Sequence, residues 1–372
     1  MANKMALRQI NRNSIFRCIY TRDAISRQDI ASETGLSMPT VIQNLNDLSE
    51  RGLIQTKGAF QSTGGRRPMM IACVYDAAFA VGIDITQNHL TIALVNLKGE
   101  IRCGGNREHF PYLDTDEYYD SVCGKLEQMI EENGIDRERI IGVGISLPSI
   151  VDETRCRVIY GRILNEPSDV ISCFSERMPY RIRLFNDANA AGYAETWADK
   201  SESTCFYLML SNSVGGAMIE NRKIYLGDNF RSSEIGHVKI VPGGRECYCG
   251  QKGCANAYLS ARILSEGYDG GLDDFFSDLE KGDAVCRETF DTYLDFLAVT
   301  VVNIRMLYDC RIILGGYVGK YMDSHMEELG KQLLNYNPYD TDSEYVSACK
   351  YKNDASAVGA ALPLIAEYIE NI

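Results

Sequence analysis

The sequence lacks any segment that would carry the chain into or across a membrane. No apolar run approaches the roughly 18 residues of a membrane-spanning helix. The first residues place Lys4, Arg8, Arg12 and Arg17 among polar side chains, and they lack the apolar core of a signal peptide. Low-complexity tracts and fixed-period repeats are also missing. With 372 residues, 45% of them hydrophobic, we expect a globular cytoplasmic protein of about two or three domains.

A disulfide framework is not expected either, although the chain contains 13 cysteines. Their number is odd, and they are scattered from Cys18 to Cys349. That distribution is typical of reduced intracellular thiols together with one metal site.

The candidate metal site consists of three closely spaced cysteines that follow a histidine. Cys247, Cys249 and Cys254 begin ten positions after His237. Four nitrogen and sulfur ligands suit a tetrahedral Zn²⁺ ion and leave no open position, so we expect a structural zinc site. The alternative is three buried free thiols near an unrelated histidine.

Two glycines lie within this cysteine motif. Gly250 and Gly253 separate Cys249 from Cys254. They let a short loop fold back so that three thiolates converge on one ion, which larger side chains would resist.

Charge is divided unevenly along the chain. Up to Pro68 there are ten lysines and arginines against five acidic residues, a local charge of +5 in a protein of net charge −13, which leaves −18 for the rest. A basic head on an acidic body indicates that one end meets a polyanion while the rest keeps the protein soluble.

The basic head also has the pattern of a winged helix-turn-helix. Ser26, with Asp29 three residues later, predicts a capped helix, and Ser37 predicts a second one that Gly52 ends. Gly35 forms the turn between them. A further helix is predicted before these two from the apolar residues Ile10, Ile15, Phe16 and Ile19. On the third helix, an inward-facing apolar stripe is predicted from Val41, Leu45 and Leu48. The segment from Ser62 to Pro68 resembles a wing.

A winged helix-turn-helix would place its third helix in the major groove of double-stranded operator DNA. Arg66 and Arg67 of the wing would grip phosphate or the minor groove. The residues predicted to face outward, towards bases or phosphates, are Ser37, Met38, Thr40, Gln43 and Asn44. The alternative for this head is a small helical dimerisation or docking module.

Beyond about Cys73 the pattern changes to strands that alternate with helices. Ala80–Asp84 and Leu90–Leu97 predict a hairpin, Tyr118–Ile130 an amphipathic helix, and Ile140–Leu147 a strand buried on both faces. The same theme recurs at Cys205–Met218 and Ile312–Leu314. Two α/β lobes with a ligand-binding cleft between them are therefore expected.

Several motifs resemble the ROK family of repressors, open reading frames and sugar kinases. These are EIGH before Cys-x-Cys-Gly-x-x-Gly-Cys, FNDANAAGYAE from Phe185, ILGGYVG from Ile313, GISLPSIVD from Gly144 and SAVGAALPL from Ser356. With the head in front, the chain resembles the repressor branch. The resemblance implies an actin-like ATPase fold, a sugar effector in the cleft, and homodimers or higher oligomers such as a tetramer.

This resemblance also sets the expected domain boundaries. The DNA-binding head is expected at residues 1–72 and the kinase-like effector domain at 73–372. The first lobe would take about 78–190 with 355–372, and the second, which contains the zinc site, about 191–354.

The kinase chemistry of the family is predicted to be lost. The resemblance places Asp187 where ROK kinases keep the base for the attacking hydroxyl. The phosphate turn that follows the first strand, Asp-x-Gly-Gly-Thr in those kinases, reads Asp84 to Asn88 here without glycine. The second turn, from Ser211 to Gly215, also carries side chains where backbone amides must approach a phosphate. Asp187 is thus a vestigial base, and we expect no enzyme activity.

The sugar-binding positions are better kept. By resemblance, Asn186, Asp187, Glu234 and His237 match hydroxyl-binding residues, and His237 would serve both zinc and sugar. The next sugar-contacting glutamate of the family is Asn256 here, an exchange that alters or abolishes sugar recognition.

Asn165 matches a further, less regular contact of the family, and its alternative is an ordinary loop residue. We therefore expect a sugar-responsive DNA-binding repressor of carbohydrate metabolism. Two alternatives stay open: a residual ATP-dependent kinase of a hexose or amino sugar, and a regulator controlled by protein contacts that has lost sugar binding.

Overall fold

A computed structural model describes the protein as a head, which contains three helices and a small sheet, followed by two lobes. The described residues are 2–59, 69–165, 169–198 and 204–372. The expected wing, with Arg66 and Arg67, lies outside them. Within these ranges no helix combines the length and apolarity needed to cross a bilayer.

Local sequence signals explain the elements of the head. Ser26 Oγ accepts a hydrogen bond from the Asp29 N–H (3.2 Å), and Ser37 Oγ accepts one from Thr40 (3.4 Å), so both predicted helix caps are confirmed. Gly35 ends the first of these helices at φ +67°. The elements are α1 (Ala2–Tyr20), β1 (Ile25–Ser26), α2 (Arg27–Thr34), α3 (Met38–Glu50), β2 (Ile54–Ala59) and β3 (Met69–Cys73). The strands form a small antiparallel sheet of order β1-β3-β2.

One prediction of side-chain direction in the head is wrong. Asn44, expected to face outward, is only 3% exposed, and its Nδ2 donates to the Thr40 carbonyl (2.8 Å). It falls three residues after Val41 and four before Leu48, so helical periodicity places it on the inward stripe of α3. Ile10 is 62% exposed because its five-residue spacing from Ile15 turns it by about 140° around α1.

The first lobe is built around a mixed sheet of order β11-β8-β4-β5-β6, with β7 paired to β5. The predicted buried strand is β8, and the predicted amphipathic helix lies within α4. The elements are β4 (Phe79–Ile85), β5 (His89–Asn96), β6 (Ile101–Gly104), β7 (Glu108–His109), α4 (Asp116–Glu132), β8 (Ile140–Leu147), β9 (Ile150–Asp152), β10 (Arg157–Tyr160), α5 (Val170–Ser175), β11 (Ile182–Asn186) and α6 (Asp187–Ala198). The predicted lobe boundary at residue 190 falls within α6.

The second lobe is also built around a mixed sheet, of order β14-β13-β12-β15-β16. Its strands are β12 (Cys205–Leu210), β13 (Val214–Glu220), β14 (Lys223–Ile224), β15 (Arg311–Gly315) and β16 (Val346–Ala348). Its helices are α7 (Asn256–Leu259), α8 (Arg262–Ser265), α9 (Leu272–Glu280), α10 (Ala284–Tyr308), α11 (Gly316–Gly319) and α12 (Met326–Tyr336). The chain then returns to the first lobe as α13 (Ala355–Glu370).

Helix α13 lies directly on the first sheet because two strands carry glycine beneath it. A Cβ atom on Gly82 would stand 1.8 Å from the Ala357 carbonyl oxygen, and one on Gly144 would stand 1.9 Å from that of Ala360. Such distances are far below van der Waals contact, so only glycine allows this close approach. The first residues of α13, Ala355 and Ser356, line a cavity in the cleft between the lobes.

The other end of α13 contacts the head. Arg12 Nε on α1 donates to the Ile372 carbonyl (2.8 Å), and Tyr20 Oη donates to the Leu97 carbonyl (2.7 Å). Phe16 of α1 belongs to the same apolar cluster as Ile365 of α13. Head and first lobe thus share one hydrophobic core.

Candidate functional site

The predicted zinc ligands come together in the second lobe. The side-chain donor atoms of His237, Cys247, Cys249 and Cys254 all lie within 4.8 Å of one another. Cys249 Sγ is 3.7 Å from Cys254 Sγ, and Cys247 Sγ is 3.9 Å from His237 Nδ1. Sulfur ligands at about 2.3 Å from a tetrahedral ion stand about 3.8 Å apart, so the arrangement can hold a metal ion.

The loop that positions these ligands depends on its glycines. Gly250 and Gly253 adopt φ +84° and +78°, a region that side chains disfavour. A Cβ atom on Gly253 would also stand 1.8 Å from the Val241 carbonyl oxygen. The predicted folding back of this loop is confirmed. Lys239 Nζ donates to Cys254 Sγ (3.0 Å).

Next to the metal cluster lies a cavity of about 420 Å³ between the lobes. Four of the predicted sugar-binding residues line it: Asn186, Asp187, Glu234 and His237. Its size and its mixture of carboxylate, amide and imidazole groups suit a monosaccharide.

His237 connects the metal cluster to this cavity. Its Nδ1 faces Cys247, and its Nε2 lies 3.2 Å from the hydroxyl of Tyr248. The two ring nitrogens therefore point in different directions, as the predicted dual role of this histidine requires. A sugar that bonds Nε2 would have to share it with Tyr248 or displace that hydroxyl.

Asp187 starts α6 at the floor of the cleft. Burial and the nearby carboxyl of Asp84 raise its pKa to about 7, partly offset by the Ala188 N–H that it accepts at 2.9 Å. Burial also raises the pKa of Asp84, to about 6, although Ser146 Oγ donates to this carboxyl at 2.6 Å. Burial raises the pKa of Glu234 as well. The cleft thus contains three carboxyl groups that hold protons more readily than usual.

The other two predicted sugar residues lie in a neighbouring cavity. This space of about 350 Å³ is lined by Asn165 and Asn256 and shares Asp187 with the first cavity. Asn256 is buried, and its Oδ1 accepts the backbone N–H of Val214 at 2.8 Å. That acceptor is therefore occupied by the protein itself.

The region of the phosphate turn is bridged by side chains. Between β4 and β5, Gln87 Oε1 accepts a hydrogen bond from Arg262 Nη2 of the second lobe (3.3 Å). The guanidinium of Arg107 lies 3.9 Å from the ring centroid of Tyr317, again across the cleft. These contacts occupy the edge where the kinase motif would present glycine amides to a phosphate.

Several polar side chains of the first cavity were missed by the sequence analysis, among them Ser149 and Tyr248. Both line it together with the predicted residues. Their positions held a signal, because Ser149 follows Pro148 within GISLPSIVD and Tyr248 stands between two predicted metal ligands.

Fold and site together define a class: a head of three helices and a small antiparallel sheet joined to a two-lobed, actin-like domain. The chain belongs to the ROK family, whose model matches residues 80–367.

Its curated relatives include transcriptional repressors. It is 28% identical over 269 residues to the xylose repressor of Bacillus subtilis (strain 168), covering 71% of this chain and 69% of that protein. It is 25% identical over 339 residues to the DNA-binding transcriptional dual regulator NagC of Escherichia coli (strain K12), covering 86% and 83%.

Solved structures support the fold. A ROK family transcriptional regulator, a homologue of the Escherichia coli MLC protein, superposes with a TM-score of 0.76 at 16% identity and 98% coverage of both chains. A ROK family glucokinase from Streptomyces griseus, in complex with glucose and AMPPNP, matches with a TM-score of 0.64 at 22% identity. It covers 77% of this chain and 99% of its own. The match to the regulator thus extends over the head as well.

Proposed function

We propose that this protein is a sugar-responsive, DNA-binding transcriptional repressor of carbohydrate metabolism with an inactive kinase site. One observation carries the proposal. Four predicted hydroxyl-binding residues meet in a single cavity, while the phosphate turn lacks glycine and carries Gln87, which bonds to Arg262 of the other lobe. Repressors among the curated relatives support it.

DNA binding is assigned to the exposed face of α3. Ser37, Met38 and Gln43 are exposed and Thr40 is partly exposed, so all four are accessible to a major groove. Asn44 is withdrawn from this face because it is buried. Arg66 and Arg67 of the wing remain proposed phosphate or minor-groove contacts.

The metal cluster is assigned to structural Zn²⁺. Four protein ligands leave no open coordination position, so the ion would stabilise the loop from His237 to Cys254 rather than activate water. It would also hold the His237 imidazole in register for the sugar. We further propose a cytoplasmic homodimer or tetramer, in which two heads can meet two half-sites.

The response to sugar is proposed to run along α13. Ser356 Oγ, at the start of this helix, donates to the Asp187 carbonyl (3.2 Å). The residues at its far end accept hydrogen bonds from Arg12 and Asn13 of α1. A sugar that binds one lobe arrangement more tightly would shift α13 and thereby the spacing of the paired heads.

A thermal-shift screen tests the proposal. Purified protein is loaded with Zn²⁺ and heated with monosaccharides, amino sugars and sugar phosphates, since a ligand of the native state raises Tm. We expect at least one sugar to raise Tm, and Asp187→Ala to abolish that shift. The sugar should then change binding to operator fragments selected from genomic DNA.

Two results would contradict the proposal. Sugar-dependent ATP hydrolysis would revive the kinase alternative. If no sugar raises Tm of the folded, metal-loaded protein while the protein still binds operator DNA, a regulator that responds to protein contacts is favoured.

A further inference from the structure

Ser149 has a backbone that is held on both sides. It lies between β8 and β9, where its N–H donates to the Leu147 carbonyl (2.8 Å). Its own carbonyl accepts a hydrogen bond from Asn186 Nδ2 (3.1 Å). The residue is 5% exposed, so the direction of its side chain is set by the surrounding protein.

The hydroxyl of Ser149 has no hydrogen-bond partner among the described residues, although it is buried. Buried hydroxyls are normally paired, because an unpaired one loses its bonds to water without replacement. On the adjoining strand β8, Ser146 shows the usual case, since its hydroxyl donates to Asp84. Among the described residues, Tyr118 also has a buried hydroxyl without a partner, but Tyr118 does not line this cavity.

Ser149 is one of the residues that line the 420 Å³ cavity. The same cavity is lined by Asn186, Asp187, Glu234 and His237. A serine hydroxyl both donates and accepts hydrogen bonds. It therefore suits a sugar hydroxyl, which does the same, better than it suits an anionic or apolar ligand group.

We propose that Ser149 is a direct sugar contact that determines specificity. Its Oγ pairs with one hydroxyl of the bound sugar and so distinguishes that sugar from the analogue lacking this hydroxyl. This inference rests on the proposed function and adds to it a residue and a means of discrimination. A site built to bond a hydroxyl rejects its deoxy analogue because a buried polar group is then left unpaired.

Titration calorimetry of the zinc-loaded protein tests this. The probes are the monosaccharide with the largest thermal shift and its monodeoxy analogues. For Ser149→Ala we expect about tenfold weaker binding of the parent sugar. For the wild type, one monodeoxy analogue should bind about tenfold more weakly than the parent sugar. The affinity of this analogue for Ser149→Ala should be no lower than its affinity for the wild type. Ser121→Ala, which removes an exposed serine hydroxyl on α4, should leave every affinity unchanged.

The melting temperature without sugar separates contact from structure. Ser149→Ala should melt at the wild-type temperature or above it, since it removes an unpaired buried hydroxyl. A lower Tm together with equal losses for every analogue means a structural role and overturns the inference. Equal affinities of wild type and variant for the whole panel overturn it too, while leaving the proposed function intact. Failure of the wild type to bind any sugar overturns both.

Discussion

The guanidinium of Arg107 stacks on the ring of Tyr317 across the cleft, 3.9 Å from the ring centroid. Arg107 belongs to the first lobe and Tyr317 to the second. Together with the hydrogen bond from Arg262 to Gln87, it joins the lobes at the edge where a kinase would hold phosphate. In this protein that edge stabilises one arrangement of the lobes.

Arg107→Ala should loosen this lobe arrangement. A cation–π contact is worth about 0.5–2 kcal/mol, which corresponds to a fall in Tm of a few degrees for a protein of this size. Differential scanning calorimetry would measure it. Arg8→Ala, an exposed arginine of the head, is the control and should not change Tm. Equal melting of both variants would show that the stacked pair contributes nothing.

Removing the metal should destabilise the second lobe. Cys249→Ser is expected to lower bound zinc, measured by mass spectrometry, and to lower Tm by roughly 5–10 °C because metal binding contributes to folding free energy. Cys103→Ser, which changes a cysteine outside the cluster, should keep the metal. Full zinc content in Cys249→Ser would contradict the assignment.

The stability of the protein should depend on pH through the carboxyl group of Asp187. Its pKa is raised from 3.8 to about 7 by burial and by Asp84, so the folded state binds this proton more tightly than the unfolded state. Stability contributed by the protonated carboxyl is present below pH 4 and is lost as pH rises through 7. Asp187→Asn should therefore gain on the order of 1–3 kcal/mol over the wild type at pH 8 and much less at pH 4.

Urea unfolding at the two pH values would check this. Asp269→Asn, at an exposed carboxylate, is the control. A gain in Asp187→Asn that is the same at both pH values would rule out titration of Asp187 as its cause.

Two neighbouring amides of α3 should behave differently. Gln43 is exposed, so Gln43→Ala should weaken operator binding by about 1–3 kcal/mol while leaving Tm unchanged. Asn44 is buried and bonds the Thr40 carbonyl, so Asn44→Ala should lower stability by about 1 kcal/mol. Fluorescence anisotropy with operator DNA and thermal melting would separate the effects. The reverse pattern would mean that α3 presents a different face to DNA.

Much of the architecture was predictable because it depends on signals that are close together in the sequence. Ser26 and Ser37 cap helices within three residues of themselves, and Gly35 supplies the left-handed turn between them. Asn44 could have been placed correctly too, since the inward stripe through Val41 and Leu48 includes its position. At this position the period of the helix outweighs the polarity of the amide.

The metal ligands were predictable for a similar reason. Cys247, Cys249 and Cys254 are separated by few residues, and the intervening glycines allow only a tight loop. In such a tight loop the three thiols lie close together.

The helix caps, the buried strands and the metal loop follow from the sequence alone, because each is governed by backbone preferences and hydrophobic periods over a few residues. Long-range packing brings Ser149 and Glu234 to the lining of one cavity and places Arg107 against the ring of Tyr317. These partners are far apart in the chain. Their meeting depends on how two sheets and α13 pack together, and no local period encodes that packing.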